Sequence, residues 1–265
     1  MAEDLPLLSR IEDASLNASG ALQQRWLDGW ILRYCPGKAR RSRCINAVAV
    51  GRLPVQQKLA LAADLYRETD LPMVFRITRF TEPADLDAQL QALGWHRLGL
   101  THVQVRSALQ DIQPQALPAG THWVQLAPDD YAEVVGDLRG SPVAHRLSHA
   151  ERLAGSPTPY QGYAIVRDAD GLVLACGQSA QEADLVGLFD VQTRDSERGL
   201  GLASRLCERL LAQAAAAGAR VAYLQVEAGN AAALKMYDRL GFASGYNYHY
   251  RETSASQAAI YSSAT

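Results

Sequence analysis

The sequence predicts an α/β protein built as two units. Three observations carry this. Stretches with strand-like and helix-like apolar spacing alternate along most of the chain. A stretch without periodicity, residues 110–120 with Pro114, Pro118 and Gly120, separates two such series. One strand, 184–191, runs through a short polar loop into a glycine turn and a long amphipathic helix. The 265 residues suit two domains, at about 100–200 residues each. The expected division is residues 1–112, residues 120–252 and a Ser/Ala-rich loose tail, 253–265.

Pro6 suits the start of a helix over 7–16. Residues 26–34 and 44–50 read as strands flanking a basic loop, 38–43. Leu59, Ala62, Ala63 and Tyr66 mark one side of a helix at 56–69. A strand follows at 73–78. Pro83 suits the first turn of the next helix, where Leu86, Leu90 and Leu93 recur before Gly94-Trp95. Residues 98–106 form another strand.

In the second series, 121–126 is a strand and 128–138 a helix, and residues 139–159 are polar and rich in turn formers. Three strands follow at 162–168, 171–178 and 184–191, with a hairpin turn at 168–171. Ala203, Leu206, Cys207, Leu210, Leu211 and Ala214 trace the buried face of the long helix, and Gly218 sits at its stop. A strand at 220–227 puts Ala222, Leu224 and Val226 on one face. Asn230 precedes a short helix with Leu234, Tyr237 and Leu240, closed by Gly241-Phe242. Tyr246, Tyr248 and Tyr250 alternate on a last strand.

The chemistry follows from the join at 188–203. The first turn of a helix has backbone N–H groups without internal partners, pointing along a favourable dipole. Gly199 and Gly201 let the backbone approach a bulky anion, and Arg198 adds a fixed charge that suits phosphate oxygens. The stretch reads as a diphosphate cradle. It lacks the G-x-x-x-x-G-K-[ST] of a Walker loop, and Ser204 stands where a dinucleotide fingerprint needs Gly or Ala. What remains is R-x-x-G-x-A, filled by Arg198, Gly201 and Ala203.

That pattern resembles the first signature of the GNAT superfamily of acetyl-CoA-dependent N-acetyltransferases, [QR]-x-x-G-x-[GA] after a strand and loop. Asn230, Ala233, Tyr237, Gly241 and Phe242 fill the second, an Asn past a strand end followed by A-x-x-x-Y-x-x-x-G-F. The resemblance spans about residues 120–251 and implies a GNAT fold with a mixed, splayed sheet flanked by helices. The first half, which lacks any R-x-x-G-x-A, resembles a smaller, degenerate GNAT-like unit.

By that resemblance the acyl donor is acetyl-CoA and the acceptor a primary amine, attacked directly in a ternary complex. Val191, Gln192 and Thr193 bond the pantetheine arm through their backbone, and the N–H of Val191 or of Gln192 polarises the thioester carbonyl. Arg198, Gly199, Leu200, Gly201, Leu202 and Ala203 hold the pyrophosphate. Asn230, also a good N-cap, bonds the cofactor arm. Tyr237 matches the tyrosine that protonates the departing sulfur, although a core aromatic would sit there equally well. Residues 139–159 fall where the family shapes its acceptor pocket.

Candidates for the base are Asp190 and Glu227, at strand ends where open α/β sheets place ligands, or a water. His145 and His149 lie in the pocket-forming stretch. A small-molecule acceptor is expected. The alternatives are a non-catalytic acyl-CoA sensor and a protein lysine or N-terminal acetyltransferase.

Composition narrows the rest. A net charge of −2 gives no overall footprint for nucleic acid, and the short basic loop, without interleaved aromatics, reads as a solvated turn. No stretch approaches the ~18 consecutive apolar residues of a membrane span. No basic start followed by an apolar run marks a secretory signal. Cys35, Cys44, Cys176 and Cys207 form no C-x-x-C and read as reduced thiols of a cytoplasmic protein, with no metal site.

Overall fold

A computed structural model describes residues 4–35 and 40–253. The start of the basic loop and the tail beyond residue 253 lie outside the described residues. The chain forms two compact units, and neither is contiguous in sequence. One joins Met1–Gly20 to Val103–Gly245, and the other joins Ala21–His102 to Tyr246–Thr265. We call them the C-terminal and N-terminal units, after most of their residues.

The expected division at 112–120 was linear; the structure's division exchanges both chain ends. Helix α1 (Leu5–Ala18) packs on β9 (Leu185–Thr193) of the C-terminal unit. Asp4 caps it, accepting from the Leu7 N–H at 3.1 Å, and its face of Leu8, Ile11, Ala14 and Ala18 is buried. Arg10 pairs with Asp184, and the Asn17 amide donates to both carboxylate oxygens of Glu182 at 3.1 and 3.0 Å. At the other end, β11 (Ala243–Glu252) pairs antiparallel with β4 (Val74–Ile77), Tyr250 facing Arg76. No local signal in a helix or strand says which half it will join.

The sheet of the N-terminal unit runs β1 (Gln24–Leu27), β2 (Trp30–Arg33), β3 (Ile45–Ala47), β4 and the far part of β11. The expected single strand at 26–34 is a hairpin. Asp28 and Gly29 turn the chain with φ of +43° and +87°. An Asp-Gly pair suits a two-residue turn in which both central residues need positive φ. The Asp28 carboxylate accepts from the N–H groups of Arg52 and Leu53, and buried Lys58 donates to the carbonyls of Asp28 and Val50. Helices α2 (Val55–Glu68) and α3 (Leu86–Ala92) cover one face, where Trp30, Phe75 and Trp95 meet edge to face over Leu59, Leu86 and Leu90. Tyr246, Tyr248 and Tyr250 are all buried, as their alternation predicts.

In the C-terminal unit the sheet order is β6 (Thr121–Leu126), β7 (Tyr160–Arg167), β8 (Val173–Glu182), β9, β10 (Val221–Glu227). Neighbours are antiparallel as far as β9, and β9 and β10 are parallel. Between them runs α6 (Leu202–Ala216), whose Leu206, Cys207, Leu210 and Leu211 pack with Ile165, Ala175 and Val186. The opposite face, with Ala164 and Cys176, takes Tyr131, Val135 and Leu153 from α4 (Pro128–Leu138) and α5 (Val143–Ala154). The polar stretch 139–159 is thus largely helix α5. Strand β5 (His96–Ser107) has residues in both units. No helix among the described residues is long and apolar enough to cross a membrane.

At Gly162 of β7, α4 lies close against the sheet. A Cβ there would lie 2.6 Å from Cδ2 of buried Tyr131 and 2.9 Å from its Cγ. Gly162→Ala should therefore overpack this contact and lower stability by about 1–3 kcal/mol. A denaturation midpoint equal to wild type would contradict the packing.

Candidate active site

The site lies where two parallel strands part. β9 and β10 are in register from Leu185 opposite Val221 to Leu188 opposite Leu224, and no further. Yet β9 continues to Thr193 and β10 to Glu227. Past Leu188 the β10-facing edge of β9 no longer has that partner. On its other edge β9 bulges against β8. Cys176 faces Gln192 and Gln178 faces Phe189, so Asp190 and Val191 together oppose Gly177. Asp190 takes φ +51°, a conformation that Asp tolerates better than most residues. Such a bulge re-aims backbone groups locally. A Cβ on Gly177 would meet Leu206 Cδ2 at 2.8 Å, so this glycine lets α6 lie close against the bulge.

The loop after β9 leads straight to α6. Gly199 and Gly201 both take positive φ, +83° and +74°, with Gly201 at the N-cap of α6. A Cβ at Gly199 would meet nothing within 4 Å, and one at Gly201 only the end of the Arg205 side chain, 2.7 Å away. Arg198, Gly199, Leu200 and Gly201 are exposed, Ala203 is half-buried and Leu202 is anchored in the core. Arg198 pairs with Asp195 at 2.6 Å, but both side chains are mostly in solvent, so the pair holds it weakly. The open glycine turn, the helix start and a releasable guanidinium fit a diphosphate.

Asn230 and Tyr237 follow from the next join. The Asn230 side chain accepts from the Ala233 N–H at 3.1 Å and caps α7 (Ala231–Arg239). In the last turn of α7, Tyr237 is 8% exposed and its ring stands edge-on to Phe242, centroids 5.8 Å apart. Burial, and secondarily the nearby Cys207, push its hydroxyl above its ordinary pKa, so it stays protonated at neutral pH. Glu227 is exposed at the end of β10, and its carbonyl accepts from the Asn230 N–H at 2.9 Å.

Asp190 is differently placed from a free base. Its Oδ1 accepts from Arg139 at 2.9 Å, its Oδ2 from Gln178 Nε2 at 2.8 Å, and His149 Nε2 lies 3.4 Å from Oδ2. The Tyr131 hydroxyl donates to its backbone carbonyl at 3.0 Å. Burial alone would raise its pKa. His149, Arg139 and Arg152 together outweigh burial and hold the carboxyl well below the usual range. A carboxylate so held is a poor proton acceptor, which argues against Asp190 as the base.

Arg139, Gln178 and Tyr131 were not singled out from sequence. Gln178, a polar residue at the end of an apolar strand, was the visible signal. His145 is exposed on α5, while His149 turns inward. Among the described residues no three His, Cys, Asp or Glu side chains are grouped to hold a metal.

The depressed pKa of Asp190 makes stability depend on pH. Its folded value lies below the unfolded ~3.9, so its stabilisation is complete above that pH and is lost as pH falls through the folded value. Asp190→Asn should remove this component. The unfolding free energy of the variant should then fall less steeply than wild type below about pH 4. Parallel curves would show that the network does not stabilise the charge.

Comparison with known proteins agrees with this geometry. Residues 8–251 match the family described as "Probable histone acetyltransferase Rv0428c C-terminal". Over 89 residues the chain is 36% identical to the L-methionine sulfoximine/L-methionine sulfone acetyltransferases of Pseudomonas aeruginosa and Pseudomonas paraeruginosa. Those matches take in 31% of this chain and 52% of each relative, so the chain spans about half the length of the curated relatives it matches.

Among solved structures, a GCN5-related N-acetyltransferase from Kribbella flavida superposes with a TM-score of 0.65 at 17% identity, covering 94% of this chain and 96% of that one. A tandem GNAT protein from the clavulanic acid biosynthesis pathway gives 0.61 at 17% identity, over 75% and 69%. At such identities the likeness is one of fold. With the family match running nearly from end to end, and with the fold and both signatures in agreement, the chain belongs to this acetyltransferase family, within the GNAT superfamily of N-acetyltransferases.

Proposed function

We propose that the C-terminal unit transfers the acetyl group of acetyl-CoA to the primary amine of a small molecule. GNAT acetyltransferases use acetyl-CoA as donor, which supplies an activated acyl thioester. The parting of β9 and β10 directly before the glycine turn of α6 carries this reading. It offers a strand edge that β10 has left, for an extended arm, beside a cradle for its diphosphate.

In this reading Arg198, Gly199, Leu200, Gly201, Leu202 and Ala203 hold the pyrophosphate. Val191, Gln192 and Thr193 bond the arm, and the N–H of Val191 or Gln192 donates to the oxyanion that forms at the carbonyl. Asn230 keeps its capping bond and turns its remaining polarity to the arm. Tyr237 holds the proton that the departing sulfur takes. Glu227, exposed at the end of β10, receives the acceptor's charge.

The small-molecule acceptor rests on the Pseudomonas relatives, whose names describe amino-acid analogues as substrates. A protein acceptor is the second reading, favoured by the family's description as a histone acetyltransferase. Four buried, unbridged cysteines support a reducing, cytoplasmic setting. A panel of amino acids, amino-acid analogues, polyamines and histone-tail peptides, incubated with acetyl-CoA and followed by free thiol, tests the choice. Thiol release with small amines alone supports the proposal. Release with peptides alone would replace it with the second reading.

A further inference from the structure

In the network around Asp190, Gln178 Oε1 and His149 Nε2 are both buried without a hydrogen-bond partner, and of the two side chains the imidazole is the one that can carry a proton. His149, on α5, is mostly buried, with its side chain 13% exposed. Its ring stands edge-on to Tyr131, at a centroid distance of 6.4 Å and an angle of 86°. Its Nε2 is buried and makes no hydrogen bond of good geometry, yet it lies 3.4 Å from Asp190 Oδ2. A buried imidazole nitrogen lying this close to a carboxylate is set up to donate to it. A shift of a few tenths of an ångström would complete the bond.

Asp190 cannot move away to avoid it. Arg139 and Gln178 fix its two oxygens, and Tyr131 fixes its carbonyl. Its φ of +51° in the bulge fixes its backbone relative to Val191, the next residue. The imidazole is therefore tied to the residue that directly precedes the proposed oxyanion donors.

We propose that His149 is the base of the acetyl transfer, with Nε2–H donating to Asp190 and Nδ1 accepting the proton of the acceptor amine. This rests on the acetyl-transfer reading above. Nδ1 takes one proton from the ammonium, leaving a neutral amine. The nitrogen lone pair then forms the C–N bond at the thioester carbonyl carbon. Collapse of the intermediate breaks the C–S bond. The sulfur takes a proton from Tyr237, the surplus N–H proton of the amide restores Tyr237 through water, and His149 returns its proton to solvent. Asp190 accepts no proton. It holds the imidazole in one tautomer and stabilises the imidazolium. Among the described residues the titratable side chains that meet the His149 ring are Asp190 on β9 and Tyr131 on α4. Arg139, just past α4, and Arg152, on α5 itself, act on the same Asp190 carboxylate, and Cys176 on β8 lies beside Tyr131.

Two measurements test this. In long-range 1H–15N spectra of the ligand-free protein, neutral His149 should be the Nε2–H tautomer. The Nδ1–H tautomer would overturn the proposal. In the second, kcat/KM is followed against pH with the best amine of the panel. His149→Gln should lose the acidic limb of the wild-type profile and fall by about 10²-fold or more, with acetyl-CoA affinity unchanged. Retained turnover with the same acidic limb would overturn the base assignment and leave acetyl transfer intact. Failure of the underlying reading looks different: wild-type protein would bind no acetyl-CoA and release no thiol with any amine, and His149 would fall with it.

Discussion

Replacing Gly201 with Asp is expected to abolish measurable acetyl-CoA binding without unfolding the protein. Gly201 sits at φ +74°, where Asp is among the residues that tolerate the backbone. The new Cβ would crowd only the tip of the Arg205 side chain, which can swing aside. The carboxylate would also sit favourably at the start of α6, so the melting temperature of the free protein should hold. What changes is the cradle. A fixed negative charge would face the pyrophosphate at close range, and like charges placed together cost several kcal/mol. At ~1.4 kcal/mol per tenfold, the affinity should fall by at least about 100-fold. Calorimetry of both proteins decides it. An unchanged dissociation constant in a folded variant would remove the glycine turn from the binding site.

Removing the Tyr237 hydroxyl should strike turnover instead. Tyr237→Phe keeps the ring that packs on Phe242 and deletes only the proton donor. Burial keeps that donor protonated through neutral pH, as an acid for a departing thiolate must be. Loss of a positioned acid typically costs about 10²–10⁴-fold in rate. The expected result is a kcat lowered in that range with acetyl-CoA affinity within about twofold of wild type. A kcat equal to wild type at every pH would make Tyr237 a core aromatic and no more.

Sequence and structure agree best where the determinants are local. The helix start at Gly201, the Asn230 cap and the buried face of α6 each depend on a few neighbouring residues, and each is found as expected. The hairpin at 28–29 was equally local but hidden. Trp26, Leu27, Trp30, Ile31 and Leu32 make an almost continuous apolar run, and it masked the Asp-Gly turn inside it. Long-range choices were not legible. Nothing in α1 announces that its face will cover β9, nor in β11 that it will pair with β4.

The same limit governs the site. Asp190 was visible as a carboxylate at a strand end, but its chemistry is set by Arg139, Gln178 and His149, 51, 12 and 41 positions away by residue number. That network makes Asp190, one of the candidate bases, a fixed anion, and it is why the base is proposed to be the histidine beside it.

The most direct test of the account is a calorimetric titration of the wild-type protein with acetyl-CoA, paired with its melting temperature in the same solutions. Saturable binding at one site is expected, with a melting temperature that climbs with ligand concentration, as mass action requires. No heat of binding at several temperatures, with a melting temperature indifferent to acetyl-CoA, would contradict it: the parted strands and the glycine turn would then be inherited architecture without the ligand that explains them.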